Sequence, residues 1–300
     1  MPERFDPLTP KARTRKLQSA MEYLMTYGWA ILIIAVVLGA LFQLGVFNAG
    51  TFAPRAPPGA CQVFRPNGPG SLSLVNLEGV CSGELPQYVA SFIRINNQYI
   101  STGTTGIPSG PSSSSAFAWM YVSACPGVGS WYAVYSSGTK VNYEMEFIGV
   151  NGASCAVAFY DFAGGYYSTM TVPLNTWTFI GYTYSGGSSV TLYEDSNSQT
   201  VSIGAALNIV LGVSWIGNDP TTDYMNGQIA NVQIYNASLS APEVNALYLE
   251  GIGGAPIKLS NLVGWWPLNG NANDYSGNNN NGAPSGVTYT SQWTAGYTPP

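Results

Sequence analysis

The chain has 300 residues, only 8% of them charged, and it contains no histidine; a soluble protein of average composition is roughly 25% charged. Without histidine, neither a serine or cysteine triad of the usual form nor a typical zinc site can be built. Five basic and two acidic residues precede Gln18, a net +3, whereas five basic and thirteen acidic residues make up the charges from Gln18 onward, a net −8. So acidic a body excludes nucleic acid as a partner, because phosphate contacts require a cationic surface.

In chain order, residues 1–17 form a basic leader and residues 18–48 a hydrophobic helix, apolar almost without break from Ala30 to Phe47. About 20 apolar residues cross the hydrocarbon core of a bilayer. A basic foot ahead of such a segment places the N-terminus in the cytoplasm and everything after residue 48 outside. The following "FNAGTFAPRA" offers no good A-x-A site, which argues against an ordinary cleaved secretory signal. Glu22 then separates a simple anchor from a helix with another fate. A carboxylate at mid-membrane costs on the order of 3 kcal/mol, although near the edge it can snorkel to water. Gly28, Ala35 and Gly39 share one face, and Ala35-x-x-x-Gly39 is a small-xxx-small pair that lets helices approach closely.

The segment "QSAMEYLMTYGWAILII" resembles the class III signal peptide of archaeal type IV pilin-like proteins. The resemblance implies that a prepilin-type peptidase cuts between Leu17 and Gln18 on the cytoplasmic side and leaves the helix in the mature protein. Gln18 would then carry a free α-amine, largely positive at neutral pH. Glu22 would sit one helical turn away, placed to neutralise the terminus of a neighbouring subunit in an apolar bundle. The expected assembly residues are Gln18, Glu22, Gly28, Ala35 and Gly39, and the expected partners are the membrane and further copies of the chain.

Residues 49–60 contain Pro54, Pro57 and Pro58 and read as a semi-rigid linker. Four cysteines lie beyond the apolar segment, where export favours disulfides. Sequence neighbours suggest Cys61–Cys81 and Cys125–Cys155, one of three connectivities. The first pair would staple an entry segment over residues 61–87.

Over residues 88–251, "AFAWMYV", "SWYAVYS", "NYEMEFIGV", "CAVAFYDF", "WTFIGYTY" and "SVTLYED" are short aromatic or β-branched runs separated by turn residues. Such spacing predicts an antiparallel sandwich or barrel. In "SAPEVNALYLEG", Ser240 and Glu243 have capping-box spacing, Val244, Leu247 and Tyr248 share a helical face, and Gly251 can stop the helix.

The blocks "NQYIS", "FAWMYV", "VPLNTWTFIGYTYSGGSSVTLYED" and "MNGQIANVQIYNASLSAPEVNALY" resemble laminin G-like domains of the concanavalin A-like lectin group. The expected fold is therefore an all-β antiparallel jelly-roll sandwich, preceded by a long N-terminal hydrophobic α-helix. "LVGWWPLNGNANDYSGNNNNGAPSGVTY" looks like the stretch that normally opens such a domain, yet it lies in the C-terminal extension, 252–300. That extension completes the sandwich of its own chain or that of a neighbour, the former favoured because loop closure of this length costs little extra entropy.

Candidate chemistry is sparse. Glu144 and Glu146 point to one face of a strand, as a glycosidase pair would, but a solvated strand face is the stronger reading. Asn218, Asp219 and Asp223, with Asp274 and Asn278, supply oxygen ligands of the kind calcium prefers, the one candidate cofactor; turn formation is the alternative. Asn236 opens an Asn-Ala-Ser glycosylation pattern. Trp265 and Trp266 cannot both point inward from one strand. Carbohydrate is the ligand class implied by the lectin resemblance. The expected role is a non-enzymatic surface filament subunit in the cell membrane with its head outside; a singly anchored lectin and a glycan-cleaving enzyme are the alternatives.

Overall fold

The computed structural model describes residues 13–43, 85–138, 145–152, 154–161, 164–219 and 223–300. The chain forms two compact units, Met1–Arg55 and Ala56–Pro300.

In the first unit, helix α1 spans Arg13–Gln43. Its side chains are described for Met25 and residues 27–41, an apolar stretch in which Tyr27, Trp29, Ile31, Ile33 and Val36 are exposed. Among the described residues no helix is long and apolar enough to cross a membrane. The apolar run of the sequence continues to Phe47, outside the described residues. The side chains of Leu17, Gln18 and Glu22, and the Cys61–Cys81 pairing, lie outside the described residues.

The second unit is a sandwich of two antiparallel sheets. Its strands are β1 (Val89–Phe92), β2 (Tyr99–Thr102), β3 (Ser114–Tyr121), β4 (Trp131–Gly138), β5 (Met145–Asn151), β6 (Ala156–Tyr160), β7 (Gly165–Thr171) and β8 (Trp177–Tyr184). They continue with β9 (Ser189–Glu194), β10 (Asn197–Ser202), β11 (Val213–Ile216), β12 (Gly227–Tyr235), β13 (Leu262–Trp266), β14 (Ala283–Ser285) and β15 (Thr288–Thr290). The first sheet runs β10-β9-β8-β3-β12-β1-β15, with β13 also beside β12; the second runs β14-β2-β11-β4-β5-β6-β7. The C-terminal extension thus gives both sheets a strand of the same chain.

Strand alternation explains the cores. On β3, Ala116, Ala118 and Met120 enter the core between the sheets, where they meet Val134, Val150 and Phe159 of the second sheet. The intervening Phe117 and Trp119 enter a second core on the outer side of the first sheet. That outer core lies under helix α2 (Ala241–Leu249), which contributes Val244 and Leu247. The helix begins as its sequence suggests: the Glu243 carboxylate accepts hydrogen bonds from the Ser240 N–H at 2.7 Å and the Ser240 hydroxyl at 2.8 Å. Gly251, with φ of 78°, follows its end.

Trp265 and Trp266 do point in opposite directions, Trp266 into the inter-sheet core and Trp265 into the outer one. Neither faces solvent, because the first sheet is covered on both sides. Asn231 organises this region. It sits in a bulge of β12 at positive φ, accepts the Trp265 indole N–H at 2.8 Å and donates to the Gly254 carbonyl at 2.9 Å. The bulge lies where β12 passes from pairing with β1 to pairing with β13. Cys125 and Cys155 form a disulfide that closes a separation of 30 residues.

Among the described residues, three carboxyls hold their protons more tightly than usual. Burial and then neighbouring Asp195 raise Glu194, burial raises Asp195 against a hydrogen bond from Phe179, and burial raises Glu250. Glu243 moves the other way, through its hydrogen bonds with Ser240 and Lys258. A raised carboxyl contributes stability that is fully present below its unfolded pKa, near 4, and is lost as pH rises through the folded value. The Glu243 contribution is present above its unfolded pKa and is lost as pH falls through the folded value. With three groups against one, the thermal midpoint of the head is expected to hold or rise on going from pH 7 to about pH 4.5. Calorimetry across that interval checks this, and a steady fall would contradict it.

Candidate functional site

The outer face of the second sheet carries a small aromatic cluster of its own. Trp131 opens β4, and its indole lies with Ala133, Ala158 and Tyr160 in a cluster separate from both large cores. The Tyr160 ring stands edge-on to it at 5.6 Å, and the Tyr167 ring is tilted against it at 5.4 Å. An indole can lie flat here only because the strands beneath it carry small residues. A Cβ on Gly165 would come within 2.6 Å of the Trp131 ring. Trp131 is itself buried, whereas Tyr160 is half-buried and Tyr167 is 50% exposed. The result is a rigid indole floor under partly exposed phenol rings, a surface suited to stacking on another flat apolar face.

Charged groups border this platform. The Asp223 carboxylate accepts the Trp131 backbone N–H at 3.2 Å and lies 3.7 Å from the Arg94 guanidinium. Arg94 also donates to the Trp131 carbonyl at 3.1 Å. Asp219 accepts the Asp223 N–H at 3.0 Å, and Asp161 accepts the Gly164 N–H at 3.2 Å across the β6–β7 turn. The Tyr160 phenol is raised by burial first, then by Asp219, Asp223 and Asp161.

The expected calcium ligands fall into two groups with different roles. Asn218, Asp219 and Asp223 belong to the β11–β12 connection beside β4. Asp274 and Asn278 belong to the β13–β14 connection, and all their hydrogen bonds stay within residues 262–281. Asp274 is fully buried, and its two oxygens accept the Trp265 N–H, the Ser276 N–H and hydroxyl, and the Asn280 N–H at 2.8–2.9 Å. Those four donors occupy the carboxylate that calcium would need. Among the described residues no group of three or more Asp, Glu, Cys or His gathers to hold a metal ion.

Asn236 is exposed just beyond β12, where its side-chain oxygen accepts a hydrogen bond from Asn261 at 3.0 Å. Glu144 lies outside the described residues, and the backbone of Glu146 pairs opposite Ser137. Sequence reading passed over Trp131, Tyr160, Tyr167, Arg94 and Asp161 as site residues. The only signal was local: Trp131 and Ala133 alternate on β4, as Ala158 and Tyr160 do on β6.

Two antiparallel sheets, one covered by a helix and the other presenting aromatic side chains, define a lectin-type β-sandwich. The family model of the concanavalin A-like lectin/glucanases superfamily matches residues 95–245, half of the chain, which belongs to this superfamily. A provisionally designated carbohydrate binding protein from Bacteroides ovatus superposes with a TM-score of 0.52 at 15% identity, over 69% of this chain and 60% of that one. This chain therefore spans less than two thirds of that structure. A heptameric SAP-like pentraxin from Limulus polyphemus gives a TM-score of 0.46 at 12% identity, over 67% and 94% of the two chains. Domain 4 of a GH43 extracellular arabinanase from Geobacillus stearothermophilus gives 0.38 at 14%, over 54% and 87%. No curated protein matches the chain in sequence.

The Asp274 cluster is separable from the platform by mutation. Asp274→Asn sets an amide NH2 against two N–H or O–H donors in a buried site, and each lost charged hydrogen bond is worth about 1.5–3 kcal/mol. The variant is expected to lose about 3 kcal/mol or more in denaturant unfolding, and added calcium should not restore it.

Proposed function

We propose that this protein is a non-enzymatic, pilin-like subunit of a cell-surface filament whose sandwich head binds carbohydrate through the outer face of its second sheet. The observation that carries the binding reading is the platform of Trp131, Tyr160 and Tyr167, partly exposed on a sheet face whose opposite number is buried under α2. Sugar rings present flat C–H faces that stack on aromatic rings, and their hydroxyls can pair with rim groups such as Asp223 and Arg94. The provisional carbohydrate-binding designation of the Bacteroides ovatus protein agrees with this reading.

The filament part rests on the N-terminal sequence and on α1. Its exposed Trp29, Ile31, Ile33 and Val36 require lipid or other helices around them. Cleavage between Leu17 and Gln18 would create the α-amine, and Glu22 would compensate it in an adjoining subunit.

Two measurements test these parts separately. Tyr167→Ala is expected to weaken retention on the cognate polysaccharide about 3- to 10-fold, the range set by an aromatic contact. Because the ring is half exposed, folding should persist, and unaltered retention would remove the platform from the binding site. For the helix, mass spectrometry of the native surface protein should find Gln18 at the N-terminus, and Glu22→Ala should insert into the membrane without forming filaments. An intact Met1 would leave a singly anchored surface lectin, and filaments from that variant would remove the assembly role given to Glu22.

A further inference from the structure

Among the described residues, four of the five sheet edges of the head are blunted and one is left open. An edge strand presents unpaired N–H and C=O groups to any free strand, so folded proteins shorten it, bend it, cover it, or place proline or charge on it. β14 and β15 have three residues each, and β14 contains Pro284. The free side of β13 is covered by the chain that follows it: Tyr275 donates its N–H to the Trp265 carbonyl at 2.8 Å, and Asp274 accepts the Trp265 N–H at 2.9 Å. On β7 a register shift interrupts the pairing with β6, and Gln199 reaches over from the other sheet to accept the Thr169 N–H at 2.7 Å.

β10 has none of these guards. Its six residues, NSQTVS, carry no charge and no proline, and they pair with β9 in unbroken register. The turn of Asp195 and Ser196 sets Asn197 opposite Glu194, and just past the strand the Ile203 N–H meets the Ser188 carbonyl at 2.9 Å. Bonded and non-bonded positions alternate along an antiparallel pair. Asn197, Gln199 and Val201 therefore bond to β9, while Ser198, Thr200 and Ser202 turn their N–H and C=O groups to the open edge. All three residues are exposed, and no described residue meets those backbone groups.

The side chains narrow what pairs there. Selecting a foreign strand takes pockets for its alternate side chains, and this edge offers only small hydroxyl groups. A second copy needs only to be compatible with itself. A two-fold axis at Thr200 sets Ser198 opposite Ser202 of the second copy and Thr200 opposite its own counterpart, and each pair can exchange two backbone hydrogen bonds. A charge at the axis would face its own copy, and there is none. In the same register Asp195 falls opposite Ala205, so the nearest acids do not meet either.

We propose that β10 is the contact between heads of neighbouring copies, pairing antiparallel with β10 of a second copy to join two first sheets into one. The pairing does not depend on what the Trp131 platform binds. So short a contact is weak in dilute solution and is strengthened wherever copies are already held close, as in a filament, by their high effective concentration.

The test is disulfide cross-linking of the detergent-solubilised full chain at high concentration. Opposite residues of such a pair lie about 5.5 Å apart at Cα, within disulfide reach. A mixture of Ser198→Cys and Ser202→Cys chains should therefore cross-link, and either variant alone about fivefold less, because position 198 faces 202 and not itself. Thr200→Pro, added to both chains, removes only an outward N–H, which an edge strand tolerates. It should lower cross-linking about tenfold through the two bonds lost at the axis. Thr200→Lys in both chains should lower it about threefold, and Lys in one with Glu in the other should restore it. Cross-linking of the mixture no greater than of either variant alone, or unchanged by Thr200→Pro, would overturn the pairing. So would protection of the Ser198, Thr200 and Ser202 amides from hydrogen exchange in a chain that stays monomeric, since another segment would then occupy the edge. Should Thr200→Pro fail to fold, the Lys and Glu variants decide the matter.

Discussion

The two sheets of the head are buried unequally, and most of its organisation follows from that. A strand whose two faces are both removed from water carries mostly apolar groups on both, since apolar area leaving water is the main driving force of folding. On β3 the inward positions are small or flexible (Ala116, Ala118, Met120) and the outward ones are large aromatics (Phe117, Trp119). The outward rings need a lid. Helix α2 supplies it, with the C-terminal tail, where Trp293 and Tyr297 pack against Trp177 and Trp119. Among the described residues the second sheet has only the small Trp131 cluster on its outer side, and so its Tyr160 and Tyr167 rings remain partly exposed.

Covering one sheet on both sides creates a difficulty for polar groups. Backbone amides and carbonyls at the bulge of β12 and in the β13–β14 connection are buried, and an unsatisfied buried polar group is costly. Two side chains meet that need. Asn231 ties the bulge to Trp265 and Gly254, and Asp274 gathers four donors from Trp265, Ser276 and Asn280. Asn280 extends the same network to Thr105, its side chain accepting the backbone N–H and donating to the carbonyl. The C-terminal segment is thereby attached through polar contacts as well as through pairing of β13, β14 and β15 with strands far earlier in the chain.

The platform illustrates how small residues make room for a packed aromatic surface. Trp131 can lie along the sheet because Ala133, Ala158 and Gly165 leave room for it, and its burial in turn supports Tyr160 and Tyr167. Arg94 and Asp223 hold the Trp131 backbone from both its carbonyl and its N–H. The partly exposed Tyr160 and Tyr167 rings thus rest on groups that are already fixed.

The sequence by itself determined what depends on neighbours a few residues away. Strand positions follow from short aromatic or β-branched runs between turn residues, the start of α2 from Ser240 and Glu243 and its stop from Gly251, while the Cys125–Cys155 bridge was one of the pairings open to four cysteines. Opposite orientations for Trp265 and Trp266 were legible for the same reason, because Cβ direction alternates along a strand. What covers each face was not. One of Trp265 and Trp266 had to leave the inter-sheet core, but only the fold put a second core around Trp265, and only the fold set four donors around Asp274, a candidate calcium ligand by sequence. Only the tertiary structure could bring Trp131, Tyr160, Tyr167, Asp219, Asp223 and Arg94 together. They come from five separate segments, and no local periodicity encodes which side chain from a distant strand will lie alongside another.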